Sequence, residues 1–205
     1  MTITTLAIMK VAIAAIAAYL IGSIPTGYLI VKGFTGQDIR QVGSGSTGAT
    51  NVKRVMGKKW FFIVMLLDAL KGAVPVLLAT YIPFLHSNSG ITAVIAAALV
   101  LIGHSKSIFL GFTGGKSVAS GVGTILALSL PVGLSIAVIW GIITYISRYV
   151  SLGSIIAIAL SPILMYLFHK PIAYIVYCII GAIYIIWLHR ENIKRLINGN
   201  ENKVR

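Results

Sequence analysis

The stretch PIAYIVYCIIGAIYIIWL, residues 171–188, runs eighteen positions without a charged side chain. At about 1.5 Å of rise per residue, a helix of that length approaches the roughly 30 Å hydrocarbon thickness of a bilayer. A segment of this kind belongs in lipid rather than on one face of a water-soluble domain. Comparable apolar runs recur outward from it, at 6–31, 60–82, 91–105, 117–130, 132–147 and 150–168. Seven crossings are therefore expected. The runs at 91–105, 117–130 and 132–147 are short for a full crossing, so the competing count is five long spans, with 91–112 and 118–146 each continuous. Either count is odd and places the termini on opposite sides.

Composition agrees. The 205 residues are 58% hydrophobic and only 10% charged, against roughly 25% charged in soluble domains. Lysine and arginine number 17 against 4 acids. With seven spans, 14 of those 17 cations fall on the side that receives 32–59, 106–116, 148–149 and 189–205. The positive-inside rule makes that side cytoplasmic. The N-terminus, the loop around Asn88 and the turn at Lys170 are then outside. The expectation is an all-α, polytopic helix bundle forming one membrane domain over residues 1–205, with the N-terminus outside and the C-terminus cytoplasmic. Its basic face attracts anionic lipid heads and anionic substrates, and implies no nucleic acid. Lys10 before an alanine-rich run resembles a signal peptide, but the apolar run continues to Val31, beyond a signal core. Pro25, with Gly22 and Gly27, predicts a kink there.

The chemistry available is narrow. One cysteine, Cys178, lies in an apolar run, so no disulfide framework or cysteine-ligated metal site is expected. Asp38, Asp68, Glu191 and Glu201 are far apart in sequence, which disfavours paired-carboxylate mechanisms, and no cluster of ligands predicts a metal. Asp68 and Lys71, at i and i+3, are read as a structural pair that neutralises itself inside the bundle.

Four segments at the cytoplasmic surface carry polar motifs. Residues 43–54 read GSGSTGATNVKR. Gly43, Gly45 and Gly48 match a dinucleotide fingerprint, but no βαβ unit surrounds them. What remains is an oxyanion cradle: glycines let backbone N–H groups converge, hydroxyls add donors, and Arg54 supplies a permanent charge. Residues 104–120 read HSKSIFLGFTGGKSVAS. Gly115-Lys116-Ser117 has the end of a P-loop, yet Leu110 stands where its first glycine belongs, so nucleotide hydrolysis is disfavoured. A Gly-Gly-Lys turn opening a helix still offers backbone donors and an ammonium to a phosphate, the alternative being a snorkelling anchor. Ser151 and Ser154 share a helix face and one expected cleft. His189 and Asn192 do the same at the exit of the last span.

Taken in order, these four segments resemble the conserved segments of the bacterial acyl-phosphate:glycerol-3-phosphate acyltransferases, the PlsY family. Its loops read Gly-Ser-Gly-Asn-x-Gly-Ala-Thr-Asn-x-x-Arg, His-x-x-Pro-x-Phe with Gly-Gly-Lys-Gly-Val-Ala, Ser-x-x-Ser, and His-x-x-Asn-Ile-x-Arg-Leu. They correspond to 43–54, 104–119, 151–154 and 189–196, so the resemblance covers the whole chain. Three positions depart: Ser46 replaces Asn, Ser107 replaces Pro, and Ser117 replaces the glycine after the lysine. Serine at 117 adds a Cβ where close approach or a positive φ is expected.

The resemblance implies transfer of a fatty acyl group from acyl phosphate to the sn-1 hydroxyl of glycerol 3-phosphate, giving lysophosphatidic acid and phosphate, the first step of phospholipid synthesis. It implies a bacterial cell-membrane enzyme whose active site faces the cytoplasm and needs no cofactor. Its partners are glycerol 3-phosphate, acyl phosphate and membrane lipids. Catalytic roles fall to Ser44, Arg54, Lys116, Ser154, His189 and Asn192. Gly43, Gly45, Gly48, Ala49, Thr50, Asn51, Gly114, Gly115 and Ser151 bind substrate or phosphate. Ser154, with Ser151, and His189, with Asn192, would position the glycerol phosphate; the general base is either His189 or a substrate phosphate oxygen. Two rival readings are an inactive scaffold of the same fold, raised by the three serines, and an anion or phosphate transporter. The second lacks paired discontinuous helices and ionisable groups at the midplane.

Overall fold

The structure, a computed structural model, describes residues 3–87 and 90–204; Asn88 and Arg205, used in the topology argument above, lie outside the described residues. Its regular structure is helical, apart from one isolated bridge between Ser107 and Thr113. In chain order the helices are α1 (Ile3–Ser23), α2 (Thr26–Thr35), α3 (Ala49–Met56), α4 (Lys58–Tyr81) and α5 (Ile91–Ser105). There follow α6 (Val118–Leu128), α7 (Leu130–Ser147), α8 (Val150–Leu167), α9 (Ile172–Leu188) and α10 (Arg190–Ile197).

Each of the seven apolar runs is helical, but their lengths differ. Four stretches are long and apolar enough to cross alone: Thr5–Thr35, α4, α7 and α8. A fifth is α9, which meets α10 at a bend of 61°. The 15 residues of α5 and the 11 of α6 span only about 22 and 16 Å at 1.5 Å per residue, short of the hydrocarbon core. The alternative that merges neighbouring runs into five long spans is nonetheless wrong in geometry. A Cβ on Gly133 would press on Leu126, seven positions back and about 10 Å away along one straight helix. The chain therefore reverses at Ser129, and α6 and α7 form a hairpin. Likewise α5 stops at Ser105, and residue 115 folds back to donate its N–H to the His104 carbonyl at 3.1 Å.

Small residues let the helices close on one another. Gly22 of α1 lies against the Val100 backbone of α5, and Gly103 of α5 against Tyr19 and Ser23. Gly72 of α4 and Gly123 of α6 meet the backbones of Ser120 and Ala69 in the same way. Without a hydrophobic driving force between helices in lipid, such backbone approach is what holds them together. Val76, Ala96, Val100, Ile125, Ile136, Ile158 and Ile185 fill the interior, while Ile8, Ile16, Phe62, Leu66, Leu134, Val138 and Ile183 lie exposed on the outside, where lipid covers them.

The expected kink is present: α1 ends at Ser23, and Pro25 caps α2. The carbonyls freed there are recaptured by side chains. Ser107 Oγ donates to the Ser23 carbonyl at 2.6 Å, and Lys71 Nζ to that of Ile24 at 2.7 Å. Asp68 and Lys71 pair at 2.9 Å, both buried. The break at Pro25 is thus sealed by the polar residues of α4 and the loop after α5.

Candidate active site

The loop before α3 is shaped by one side chain. Asn51 is 1% exposed, and its Oδ1 accepts the Ser44 N–H at 3.0 Å. Its Nδ2 reaches the carbonyls of Val42 (2.8 Å), Ser46 (3.0 Å) and Ile39 (3.3 Å). The amide therefore folds 39–46 around itself rather than facing a ligand, contrary to its expected role as a phosphate contact. Gly43 and Gly45 take positive φ, and a Cβ on Gly43 would strike Asn51 Oδ1. Glycine is needed there for the close approach as well as the backbone.

Gly48 caps α3, so Ala49 and Thr50 head its first turn with N–H groups that no helical carbonyl satisfies. The hydroxyls of the exposed Ser44 and of Thr50 and the exposed Arg54 guanidinium make no hydrogen bond to protein among the described residues. They are the donors left for a guest. Ser46 Oγ accepts the Gly48 N–H at 3.3 Å, so serine at this position still supports the turn.

The loop before α6 is built from beneath. Ser107 exchanges its N–H with the Thr113 carbonyl at 3.3 Å, and Ser117 Oγ donates to the Leu101 carbonyl at 2.7 Å. Ser117 sits at φ +59, in the left-handed region, which is why a glycine suits the position. A serine there carries about 1 kcal/mol of strain, set against a buried hydrogen bond of similar size. A cavity of about 340 Å³ lies between the two loops, lined by Asp38, Arg40, Gln41, Gly45, Thr113 and Gly114. The 43–54 and 104–120 segments therefore converge.

Lys116 projects from the second loop and donates to Asn192 Oδ1. Burial, and the positive charges of Arg195, Arg54 and Arg190, bring its ammonium down to about 8, with Glu201 opposing. Arg54 and Lys116 are thus on one face and close enough to feel each other. His189, just beyond α9, donates from Nδ1 to the Ile185 carbonyl at 2.7 Å, the tautomer that bond requires. Burial pushes its pKa down to about 4, with Lys116 adding to the shift. The ring is neutral at physiological pH, and Nε2 is left as an acceptor. A histidine so shifted is a weak base but a good orienting group.

Glu201 ties these parts together, and sequence reading missed it. Its carboxylate accepts from Ser151 Oγ (2.9 Å), Asn192 Nδ2 (2.7 Å) and Arg195 Nε (2.7 Å). The tail reaches it by turning back after α10, the Val204 N–H meeting the Arg148 carbonyl at 2.8 Å. No local pattern announces such a return; only its separation from the other acids was legible. Ser154 has different partners from Ser151. Its hydroxyl donates to the Val150 carbonyl at 2.8 Å and accepts from Trp140 Nε1 at 3.3 Å. The i,i+3 spacing was right, but the Trp140 indole on α7 captures one of the two serines. Among the described residues no group of three or more His, Cys, Asp or Glu side chains forms a metal site.

A positive cluster with one acid, a neutral histidine acceptor and two glycine loops can bind phosphates and orient a hydroxyl between them. Known proteins are similar to this chain in sequence and fold. A family model described as glycerol-3-phosphate acyltransferase matches residues 12–199. The glycerol-3-phosphate acyltransferase of Nostoc sp. (strain PCC 7120) is 45% identical over 203 residues, covering 92% of this chain and 89% of its own. That of Synechococcus sp. (strain JA-2-3B'a(2-13)) is 43% identical over 192 residues, covering 94% of each. The crystal structure of PlsY (YgiH), an integral membrane glycerol 3-phosphate acyltransferase, in its glycerol 3-phosphate form matches with a TM-score of 0.88 at 37% identity, over 95% of this chain and 96% of that one. Its lysophosphatidic acid form gives 0.84 at 36% identity, over 95% of each.

Proposed function

The chain belongs to the glycerol-3-phosphate acyltransferase family, and from that premise we propose that it transfers a fatty acyl group from acyl phosphate to the sn-1 hydroxyl of glycerol 3-phosphate. The reaction takes place at the cytoplasmic face of a bacterial cell membrane, within a single multi-pass domain. The observation that carries this reading is Lys116, bonded to Asn192 with Arg54, Arg190 and Arg195 bearing on it, beside a loop whose Ser44 and Thr50 hydroxyls and Arg54 guanidinium are unengaged. Two phosphates need more positive charge than one acid neutralises, and this cluster supplies it.

Acyl phosphate is an activated anhydride, so the protein need not generate a nucleophile of its own. The glycerol hydroxyl oxygen attacks the acyl carbonyl carbon, and the tetrahedral oxyanion that forms is met by Lys116 and the backbone N–H of Gly114. The carbon–oxygen bond to phosphate then breaks, and the hydroxyl proton passes to a phosphate oxygen. His189 Nε2 orients the hydroxyl as an acceptor; with its pKa near 4 it does not retain the proton. Arg54, the hydroxyls of Ser44 and Thr50 and the Ala49 N–H bind phosphate, Asn51 shapes their loop, and Ser151 and Asn192 hold the glycerol phosphate. Ser46, Ser107 and Ser117 each make a hydrogen bond that supports its loop, which supports a working site rather than an empty scaffold.

Incubating purified protein with palmitoyl phosphate and glycerol 3-phosphate, and following phosphate release and lysophosphatidate by mass spectrometry, tests this directly. Absence of product under conditions where a PlsY relative turns over would overturn it.

A further inference from the structure

His104 lies beneath the Gly114–Gly115 turn yet has no part in the chemistry above. It is 6% exposed. Its carbonyl accepts the Gly115 N–H at 3.1 Å; a Cβ on Gly114 would meet that carbonyl, and one on Gly115 the ring Nε2. The turn therefore rests on both backbone and ring of one residue. The other side of the ring is held in turn: Nδ1 lies 3.1 Å from Ser120 Oγ and 3.7 Å from Asp68 Oδ1. Asp68 is fixed by Lys71 at 2.9 Å and by Thr26 Oγ1 at 2.5 Å. Residues from α2, α4, α5 and α6 thus meet in one buried polar network whose upper end is the loop that carries Lys116.

Polar groups inside a bundle are costly unless bonded. Asp68 and Lys71 alone already satisfy that requirement and seal the break at Pro25. The packing of the His104 ring against the glycine turn is a separate feature. We infer that His104, braced by Asp68 and Ser120, is a positioning residue that seats the Gly114–Gly115 turn and so fixes where the Lys116 ammonium meets phosphate. This rests on the reading of Lys116 as a phosphate-binding group. The turn is two glycines with no side chains of their own to anchor it, so without the ring the ammonium drifts from its place.

The test is a pH series of kcat and KM for palmitoyl phosphate and glycerol 3-phosphate on purified full-length enzyme, comparing wild type with His104→Ala, His104→Asn, Ser120→Ala and Lys116→Ala. His104→Ala is expected to lower kcat/KM on the order of 10²-fold, the effect of a small misplacement of a catalytic group. It should also move the alkaline limb upward, because a loosened Lys116 regains water while Arg54 of α3, His189, Arg190 and Arg195 at α9–α10, and Glu201 of the tail still face it. A merely structural role lowers the rate and leaves that limb in place. His104→Asn, whose amide can keep the Ser120 bond, should recover much of the loss, and Ser120→Ala should shift the limb the same way by less.

An alkaline limb unmoved in both His104→Ala and Ser120→Ala overturns the inference, as does wild-type kcat/KM in His104→Ala. If His104→Ala does not fold, the limb of Ser120→Ala decides alone. Lys116→Ala separates the two levels. Wild-type turnover there removes the phosphate reading itself, whereas an inactive Lys116→Ala beside an unaltered His104→Ala removes only the role of His104.

Discussion

The two glycine loops reach the same cavity by opposite means. Residues 43–54 fold around their own buried side chain, the Asn51 amide, which binds four backbone groups within twelve positions of itself. Residues 104–117 are held by partners distant in sequence or on other helices: Ser23 through Ser107, Leu101 through Ser117, and Ser120 and Asp68 through His104. The first loop leaves its cation, Arg54, in water. The second carries Lys116 into a partly buried place where its charge is under strain. A self-organised loop can be read and altered locally, whereas a braced loop transmits changes made deep in the bundle.

The largest expected effect is at the braced loop. Lys116→Ala should lower kcat on the order of 10²- to 10³-fold, the loss seen when a charged or oxyanion-stabilising donor is removed. Its thermal unfolding in detergent should stay near wild type, because removing a strained buried charge relieves desolvation. A wild-type kcat would mean the two loops do not serve one reaction.

Asn51→Ala breaks the self-organised loop. Several buried backbone groups lose their partner at about 1–3 kcal/mol apiece before relaxation. The loop should open locally, giving faster amide hydrogen exchange over 39–48 and a raised KM, with α4 to α9 unaffected. Exchange that spreads into α5 or α6 would show that the loops are not independent.

The contrast in burial also predicts pH dependence. Lys116 must be protonated to hold phosphate, and its pKa is lowered to about 8, so kcat/KM should fall as pH rises through about 8. His189, down near 4, adds no acidic limb between pH 5 and 7. A profile flat to pH 10 would place the essential charge on the arginine loop alone.

Smaller effects sharpen the map. Ser151→Ala removes a hydroxyl bonded to Glu201 inside the cluster and should reduce kcat/KM about tenfold, in line with one lost hydrogen bond to a charged group. Ser154→Ala, bonded to Val150 and Trp140, should change it less than about threefold, since its neutral bond is outside the site. Equal effects would put both serines on substrate. Ser117→Gly should shift stability by less than about 1 kcal/mol, because relief of left-handed strain offsets the lost bond to Leu101.

Much of the architecture was legible along the chain. Apolar length located the apolar helices but not the polar α3 and α10, and Pro25 located the break, because lipid forces each crossing to satisfy its backbone internally. The break near Ser129 was part of the expected seven-run count, with the merged span 118–146 as its competitor, since periodicity cannot distinguish one long apolar helix from two that double back. Motifs singled out Arg54, Lys116, His189 and Asn192, and the structure joins Lys116 to Asn192. Asn51 was found in the right place with the wrong task, because a donor-rich residue in a glycine loop looks alike whether it faces a ligand or its own backbone. Glu201 and the indole of Trp140 were not found, for their partners lie 50 and 14 positions away.

The sequence by itself determined that this is a multi-pass helical membrane protein with many cations and glycine-rich loops, because hydrophobic length and charge are properties of contiguous residues. Only the tertiary structure decided which polar side chains face a guest and which brace the backbone. It brought Arg54 to Lys116, gave Ser151 to the tail and Ser154 to an indole, and set His104 under the glycine turn. Each of those outcomes depends on a distance between separate helices, which close packing of small residues fixes and no local pattern encodes.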